Sequence, residues 1–566
     1  MQQVSYIQME KFLVVLQYVH YAGMAENYAL LMLITYITDV WGLGLIHAAG
    51  LINLWIGTTK LMPFAFLFVI DNYVSNSYSM LIFSTAASGL GMGLLSISTP
   101  SWLYSRITGA CSEYTMKCID EKQQILFYLG LMLIMIGKSA KEATMEAVHF
   151  KCLVTSNDTK VTIIFGLLFS IVESWSIRFG ISAVFSFMTV YLLMGKAWSH
   201  KLDINKLEKS PVTTVLRVCV ASFLKTFKGI QYDSTGIYKD IERNDHQLTH
   251  SSSIRLSKTS DKYGHNTWIH CSHQEVEDTK TLVRLLPVGV VLVFLGLISS
   301  MGNTYFVKQG DRLNPSIIIW KYVGVSQLFS IYEYSKNQFG KYTRKDIETL
   351  FKHPARQQLL YAMIYAIPCC MAAAVVESSR LNVISKLGLE NKQENIIPMR
   401  TFWLIPQFFI LGIVDGSMER SIDMFFVQEM PLSMRNYGIL VLKGFVGLGT
   451  IGSVLFVYVI GKISEMGGRP SWFHHNMENS RLDLFYWLLM VLCVVHLVAW
   501  IVLSQCVILA WNKERPLNYK EDEIDRLLEP GRDLDSIEDG KIGDEMVEAV
   551  IIEYLTKWRN TIKPIE

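Results

Sequence analysis

The polar stretch that contains Thr249-His-Ser-Ser-Ser-Ile-Arg-Leu-Ser-Lys-Thr-Ser-Asp261 divides this chain into two apolar halves. It extends over residues 196–282, and its density of Ser, Thr, Asn and charged residues excludes it from the hydrocarbon core of a bilayer. We therefore predict a cytoplasmic linker between two bundles of membrane helices. Within it, Ser210–Lys225 is apolar on one helical face, which is typical of an amphipathic helix at the membrane surface.

The composition is that of a membrane protein. The 566 residues are 51% hydrophobic and only 18% charged, whereas soluble domains carry about 25% charged residues. A net charge of +2 gives no reason to expect a nucleic-acid partner. The nine cysteines lack the spacing of a metal site, and no nucleophile triad or phosphate-binding loop indicates an enzyme. Cys111 and Cys118 are either free thiols or a disulfide.

Six apolar runs lie on each side of the linker, which predicts an all-α membrane protein with the major facilitator fold, about twelve transmembrane helices in two six-helix bundles. The runs are residues 12–37, 43–70, 78–97, 125–147, 161–172 and 179–194, then 283–306, 315–332, 359–376, 402–418, 437–460 and 484–511. The fifth run is short for a crossing, and we expect a charged loop over 333–356. Basic residues in this loop and in the linker place both on the cytoplasmic side.

This pattern predicts four parts. Residues 12–195 form the first bundle, 196–282 the cytoplasmic linker, 283–511 the second bundle and 512–566 a polar cytoplasmic tail.

Several short stretches, most of them in the second half, resemble a known family. They are Gln274-Glu-Val-Glu-Asp-Thr-Lys280, Leu286-Pro287, Thr304-Tyr-Phe-Val-Lys-Gln-Gly310, Val376-Glu-Ser-Ser-Arg-Leu381, Phe402-Trp-Leu-Ile-Pro-Gln407, Phe425-Phe426, Pro431, Ser433-Met-Arg435 and Ser480-Arg-Leu-Asp-Leu-Phe-Tyr-Trp-Leu-Leu489. Together they resemble the plant nitrate and peptide transporter family, a branch of the proton-coupled oligopeptide transporters. The resemblance covers roughly residues 12–511.

This resemblance implies a secondary transporter with two bundles that open a central site alternately to each side of the membrane. The cargo would be nitrate, a peptide, or another small organic molecule or anion, and a proton is the candidate co-substrate. We expect no other cofactor. Because the cargoes of the family are so varied, the resemblance does not name the substrate.

The first span departs from the family motif ExxER, whose charges face the cavity. The three charged positions of this motif fall on Val14, Gln17 and Tyr18, so its carboxylates and its arginine are lost. Proton coupling is therefore in doubt. Glu26, the other carboxylate of this span, either substitutes for them or pairs with a different polar group.

The fourth span and the loop after the second span depart as well. Gly137-Lys-Ser-Ala-Lys-Glu-Ala143 aligns Glu142 with the lysine of the family, while Lys141 is one position away, which turns it about 100° on a helix. Asp71 keeps the acid of the family motif D-x-x-x-G-R, but the glycine and the arginine are lost. That motif latches the bundles together, which makes Asp71 a gating candidate.

Further candidates are polar residues within the spans, because such groups are costly in a membrane and usually face a cavity or a partner. Lys60 either contacts an anionic cargo or pairs with Glu26. Asp415 falls where the family has an acidic cavity residue, and Ser299 and Asn303 are cavity positions of the seventh span.

One pair of charges and one lysine in the second half have more ordinary interpretations. Glu377 and Arg380 lie one helical turn apart and form either a structural or a gating pair. Lys443 lies near the start of its span, where extension of its side chain to the interface is expected.

Two classes of function remain. The first is a transporter in the plasma membrane or the vacuolar membrane. The second is a membrane protein without transport activity, either a solute sensor or a decayed family member. The shortened region around residues 149–160 favours the second, because a fifth helix that cannot span would leave the first bundle open.

Overall fold

The computed structural model describes residues 2–73, 77–99, 121–147, 158–194, 217–218, 220, 279–280, 285–315, 324–347, 354–388, 396–429, 435–466, 468–474 and 477–514. Most of the predicted linker and tail, the pair Cys111 and Cys118, and residues 149–157 of the shortened region therefore lie outside the described residues. The backbone of Asp71 is described and its side chain is not.

Twelve helices, one of them broken, account for most of the described chain. They are α1 (Gln2–Leu31), α2 (Leu45–Tyr73), α3 (Ser77–Ser98), α4 (Glu121–Ala147), α5 (Asp158–Ile171), α6 (Trp175–Leu193), α7a (Leu286–Ser299) with α7b (Tyr305–Asp311), α8 (Val325–Ile347), α9 (Pro354–Leu387), α10 (Ile405–Glu429), α11 (Arg435–Glu465) and α12 (Leu482–Glu514). Short helical segments, Leu33–Thr35 and Tyr36–Val40, follow α1.

Eight of the described helices are long and apolar enough to cross a membrane, namely α2, α3, α4, α6, α9, α10, α11 and α12. The helices α5 and α7a are apolar but shorter. Many of the exposed side chains are large and apolar, among them Val184 and Met188 of α6 and Val498 of α12. Exposed apolar side chains in this number are expected where lipid replaces water as the solvent.

The short fifth helix packs against its neighbours. At 14 residues, α5 is about 21 Å long, which is less than the hydrocarbon thickness of about 30 Å. Tyr28 of α1 nevertheless donates its hydroxyl to the carbonyl of Thr162, at 3.0 Å, and its ring stacks on Phe165 and Phe169. These contacts hold α5 in the first bundle despite its length.

The prediction of a charged loop over 333–356 is wrong for the described part of that range. Residues 333–347 continue α8, and α9 begins at Pro354. The charged residues follow an apolar run, and a hydropathy pattern therefore predicts a loop. In the structure they lie on α8, which packs against other helices. The only strands in the described residues are β1 (Leu313–Asn314) and β2 (Ile397–Arg400), which pair in parallel.

The described residues of the two bundles meet at several helix pairs, among them α2 with α11 and α5 with α8. Between α2 and α11, a Cβ atom added to Gly57 would lie 2.7 Å from the carbonyl oxygen of Gly447, so these backbones touch. Asn53 of α2 also donates to the hydroxyl of Ser453 at 3.0 Å. Between α5 and α8, Gln327 donates to the hydroxyl of Ser170. Close approach at glycine is how helices pack tightly without a hydrophobic driving force between them.

Contacts between Cα atoms group the chain into two compact units. The first contains Met1–Lys206, Val288–Phe425 and Ile439–Leu497, and thus most of both bundles. The second contains Leu207–Pro287, Phe426–Gly438 and Val498–Glu566. The predicted division into two bundles, linker and tail remains a prediction.

Candidate functional site

The motif positions of the first span carry no charged network. Val14 and Tyr18 are each 47% exposed, and Gln17 donates its amide to the hydroxyl of Tyr21 at 2.7 Å. This hydrogen bond lies within α1. It fixes the side chain of Gln17 and provides no group that gains or loses a proton near neutral pH.

Glu26 is fully buried and faces Lys141, whose ammonium lies 3.5 Å from Oε2. The alternative that Glu26 pairs with Lys60 is therefore wrong. Lys141 reaches α1 although the sequence placed it about 100° from the lysine position of the family. Lys138, one turn earlier, donates to Asn27 at 2.7 Å and lies over the ring of Trp55.

Glu142 joins the two bundles. Its carboxylate lies 3.0 Å from the ammonium of Lys443 in α11, with 36% and 19% of the two side chains exposed. Lys443, which was expected to extend to the interface, thus pairs with a carboxylate of the other bundle, and the extension itself stays a prediction. Adjacent residues of α4 thus point in different directions, Lys141 toward its own bundle and Glu142 toward the other.

Asp415 stands at the centre of a polar cluster in the second bundle. It is 4% exposed, and its Oδ2 accepts hydrogen bonds from Ser299 at 3.0 Å and from Tyr332 at 2.7 Å. Its Oδ1 is buried without a hydrogen-bond partner. The structure therefore brings together Asp415 and Ser299, two of the residues predicted to face the cavity.

Two glycines place α10 directly on α8, and this contact was not predicted. A Cβ atom at Gly412 would meet the carbonyl oxygen of Tyr332, and one at Gly416 would lie 3.1 Å from the Cα atom of Lys336. Lys336 consequently reaches Glu419, one turn after Asp415, at 2.7 Å. The signal was present in the sequence as Gly412-Ile-Val-Asp-Gly416, the small-xxx-small spacing of close helix pairs.

Lys60 lies opposite this cluster on the first bundle. A Cβ atom at Gly447 would be 2.9 Å from the Cβ atom of Lys60, which places Lys60 where α2 crosses α11. Asp415, Lys336 and Glu142 lie within Coulombic range of it. Among the described residues none forms a hydrogen bond or an ion pair with Lys60. It is a half-buried cation that is free to bind an anionic group.

The remaining cavity candidate, Asn303, occupies the break between α7a and α7b, in a turn that covers residues 300–304, and it is half-buried. A broken helix exposes backbone groups as well as side chains, which is where membrane proteins often place binding groups. The structure puts Asn303 one turn along the chain from Ser299 without showing a hydrogen bond from its side chain within the described residues.

An ion cluster that sequence reasoning missed joins the bundles where α1 ends and α7b ends. Asp39 follows α1, and its Oδ1 lies 2.6 Å from the ammonium of Lys308 and 2.9 Å from Nη2 of Arg312. Asp311 adds a second carboxylate, 3.5 Å from Lys308. We call this arrangement the Asp39 cluster. Lys308 belongs to a quoted family stretch, but no local pattern connects it to Asp39, 269 residues away.

Glu377 and Arg380 are fully buried and form a two-pronged ion pair, with N–O distances of 2.8 and 2.6 Å. Gln309 of α7b also donates to Glu377, and Gln407 of α10 donates to Gln309 at 3.0 Å. Every described partner of this network lies in the second bundle. The geometry favours the structural alternative, and a gating role stays a prediction.

Comparisons with known proteins fit this geometry. The POT family model matches residues 159–322. "Protein NRT1/ PTR FAMILY 5.5" of Arabidopsis thaliana is 26% identical over 510 residues, which cover 84% of this chain and 93% of the relative. "Protein NRT1/ PTR FAMILY 5.2" of the same plant is 27% identical over 549 residues, which cover 89% and 91%.

Solved structures show the same fold. A POT family transporter in complex with 5-aminolevulinic acid superposes with a TM-score of 0.57 at 12% identity, covering 88% of this chain and 96% of the other. Another, with a thioalcohol conjugated peptide, gives 0.56 with the same coverage. The predicted fold class is thereby confirmed, as a helical multi-pass membrane protein with the transporter fold. The family model, the plant relatives and the fold agree that the chain is similar to proteins of the POT family.

Proposed function

We propose that the protein is a secondary transporter that carries a small solute across a membrane by alternating access. The observation that carries the proposal is that Lys60 of the first bundle lies within Coulombic range of Asp415 in the second. Charged groups are costly within a membrane and are retained where they line a solute pathway or pair with one another. Here an unpaired cation of one bundle faces a partly unsatisfied carboxylate of the other.

Ion pairs join the bundles through the Asp39 cluster, in addition to the pair that Glu142 forms with Lys443. If α1 begins in the cytoplasm, as the distribution of basic residues predicts, the Asp39 cluster lies at the end that faces away from the cytoplasm. Release of the solute on that side then requires that the Asp39 cluster separates.

Lys60 and Asp415 define the class of cargo that we propose. An ammonium on one wall suits a carboxylate or another small anion, while an acidic cluster on the other suits an amine or a hydrogen-bond donor. Nitrate would use the cationic wall alone, and a peptide would use both. The structures in complex with 5-aminolevulinic acid and with a conjugated peptide concern relatives with ligands of this kind.

The rival proposal is a sensor that binds the solute without moving it. The loss of all three charges at Val14, Gln17 and Tyr18 favours it, because the device that couples the family to protons is missing from the first helix. The cross-bundle ion pairs favour transport, because a permanently assembled receptor needs no separable contacts. The two are distinguished by flux, since both predict binding.

The experiment uses the full-length protein in liposomes, with labelled nitrate and labelled dialanine as separate probes. Exchange of internal unlabelled for external labelled solute requires no driving force, so it reports transport whether or not protons are coupled. We expect exchange of at least one probe, and a marked decrease for the isosteric variant Lys60→Met with nitrate. Binding of a probe without exchange would replace the transporter proposal by the sensor proposal.

A further inference from the structure

The polar cluster around Asp415 includes further acidic groups where α8 and α10 touch, on the wall that faces the first bundle. Glu333, Asp415 and Glu419 are its carboxylates, and Lys336 is the cation that they share. We call these four residues the α8–α10 cluster. The close contact at Gly416 brings the backbone of Lys336 next to the turn of α10 that carries Asp415 and Glu419. The position of Lys336 in the cluster therefore depends on backbone packing.

The charges of this cluster do not balance. Three carboxylates surround one lysine, in helices that pack within a membrane protein. Like charges that share a poorly solvated site cannot all ionise at low cost, and binding a proton is the usual relief. The buried Oδ1 of Asp415 has no hydrogen-bond partner, so the donors of this cluster do not satisfy all of its carboxylate oxygens.

The three carboxylates are not equivalent. Asp415 receives two hydroxyl hydrogen bonds, and Glu419 has Lys336 at 2.7 Å, so the charged forms of both are stabilised directly. Glu333 is half-buried, and no residue in the described part of the chain forms a hydrogen bond or an ion pair with it. Its negative charge is the least stabilised of the three.

Glu333 also faces the other bundle. His20 of α1 lies within its Coulombic range, as do Lys336, Asp415 and Glu419. Tyr28 of α1 donates to or accepts from Ser330, which lies one turn before Glu333, at 2.8 Å. Other titratable groups near the cluster in the described residues are Tyr332, on the same helix, Lys60 of α2 and Cys369 of α9, the last two within Coulombic range of Asp415. A change of charge at Glu333 is therefore felt directly at α1.

We infer that the α8–α10 cluster is the proton-binding site of this protein and that Glu333 is the residue that takes the proton. The inference rests on the proposed transport function, and it moves the proton site from the first helix to the wall of the second bundle. Glu333 binds one proton from the side to which the cavity is open. It releases the same proton on the other side, where Lys336 again stabilises the negative charge of Glu333.

The site is tested first without any cargo. Infrared difference spectra between pH 5.5 and pH 7.5, taken on the full-length protein in liposomes, show the C=O stretch of carboxyl groups that are protonated only at the lower pH. Ordinary Asp and Glu side chains, with pKa values of about 4, are ionised at both and contribute little. We expect a carboxyl band that Glu333→Gln removes. The variant Glu465→Gln, which changes an exposed ion pair with Lys462, should keep the band.

Transport gives the second readout. Exchange of a probe at equal pH should persist in Glu333→Gln, whereas accumulation driven by a pH difference should be lost. A difference of two pH units supports up to about 100-fold accumulation when one proton moves with each nitrate ion. If the wild type exchanges neither probe, the transport proposal is overturned, and the infrared spectra alone test the proton site.

Three results would overturn the inference about Glu333. They are a carboxyl band that survives Glu333→Gln, a band that disappears in Glu26→Gln instead, and accumulation that Glu333→Gln does not change. The variant Glu333→Asp keeps a carboxyl group and should retain both the band and the accumulation. If Glu333→Asp behaves as Glu333→Gln does, a structural effect and not the proton accounts for the loss.

Discussion

Replacement of Asp39 by asparagine should favour opening of the end of the molecule that the Asp39 cluster closes. Asp39 holds Lys308 at 2.6 Å and Arg312 at 2.9 Å, both from the other bundle. Asparagine preserves the size of the side chain and removes the charge. Lys308 is 4% exposed and keeps Asp311 at 3.5 Å, so the variant weakens the attraction between bundles without leaving the lysine alone.

The magnitude follows from the number of bonds and their exposure. A hydrogen bond between charged groups contributes about 1.5–3 kcal/mol when it is protected from solvent. The Asp39 side chain is 36% exposed, so screening brings each of its two bonds closer to the value of about 1 kcal/mol for surface pairs. We therefore expect a shift of about 1–2 kcal/mol, which changes the ratio of closed to open molecules about 5- to 30-fold.

Distances between spin labels measure this shift. Leu43, which follows Asp39, and Ile396, which precedes β2, are both exposed and belong to different bundles. Cysteines introduced there carry the labels, and a sample without them corrects for labelling of native thiols. We expect a longer distance to gain population in Asp39→Asn and not in Glu465→Gln, whose ion pair with Lys462 joins residues of a single helix. An unchanged distribution in Asp39→Asn would refute the assignment of this cluster as a closing contact.

Three other predictions concern contacts elsewhere in the molecule. Arg380→Met should lower the free energy of unfolding by about 3–5 kcal/mol, because the fully buried Glu377 would lose its ion-pair partner, and thermal unfolding in detergent should show the loss. Gly416→Val should separate α10 from α8 and reduce both thermal stability and solute exchange, whereas Gly452→Ala, where a Cβ atom has open space, should change neither. The exchanged pair Glu142→Lys with Lys443→Glu should recover more exchange than either single variant, by a coupling of about 1 kcal/mol; equal losses in all three would contradict a functional contact.

The helices were predictable because their apolar runs are long and lie between polar segments. The sequence placed α5 correctly although it is short, and it failed at α8, whose charged residues lie on a helix. A hydropathy pattern reads those charges as a loop, since it carries no information about which face of a helix meets another helix. The decisive contact, that of Gly416 with the backbone of Lys336, joins residues that are 80 positions apart in the chain.

The candidate site was predictable only in part, because the sequence does not show which faces of the helices meet. Asp415 and Ser299 could be named because they fall at cavity positions of the family that the sequence resembles, and the structure joins them by a hydrogen bond. The partners of Glu26, Glu142 and Lys443 could not be named, because each depends on the rotation of α4 against α1 and α11. A single position on a helix turns a side chain by about 100°, so an alignment that is correct to one residue still leaves the partner undetermined.

Solute should move only when the end held by the Asp39 cluster can open. The variant with Asp39→Cys and Arg312→Cys allows a short bifunctional thiol reagent to join the bundles at that end, and a reagent with a cleavable spacer allows release. Exchange of labelled nitrate or dialanine is then measured in liposomes before reaction, after reaction and after cleavage. The account predicts that exchange stops on cross-linking and returns on cleavage. Exchange that continues at the same rate in fully cross-linked protein would contradict alternating access through this end.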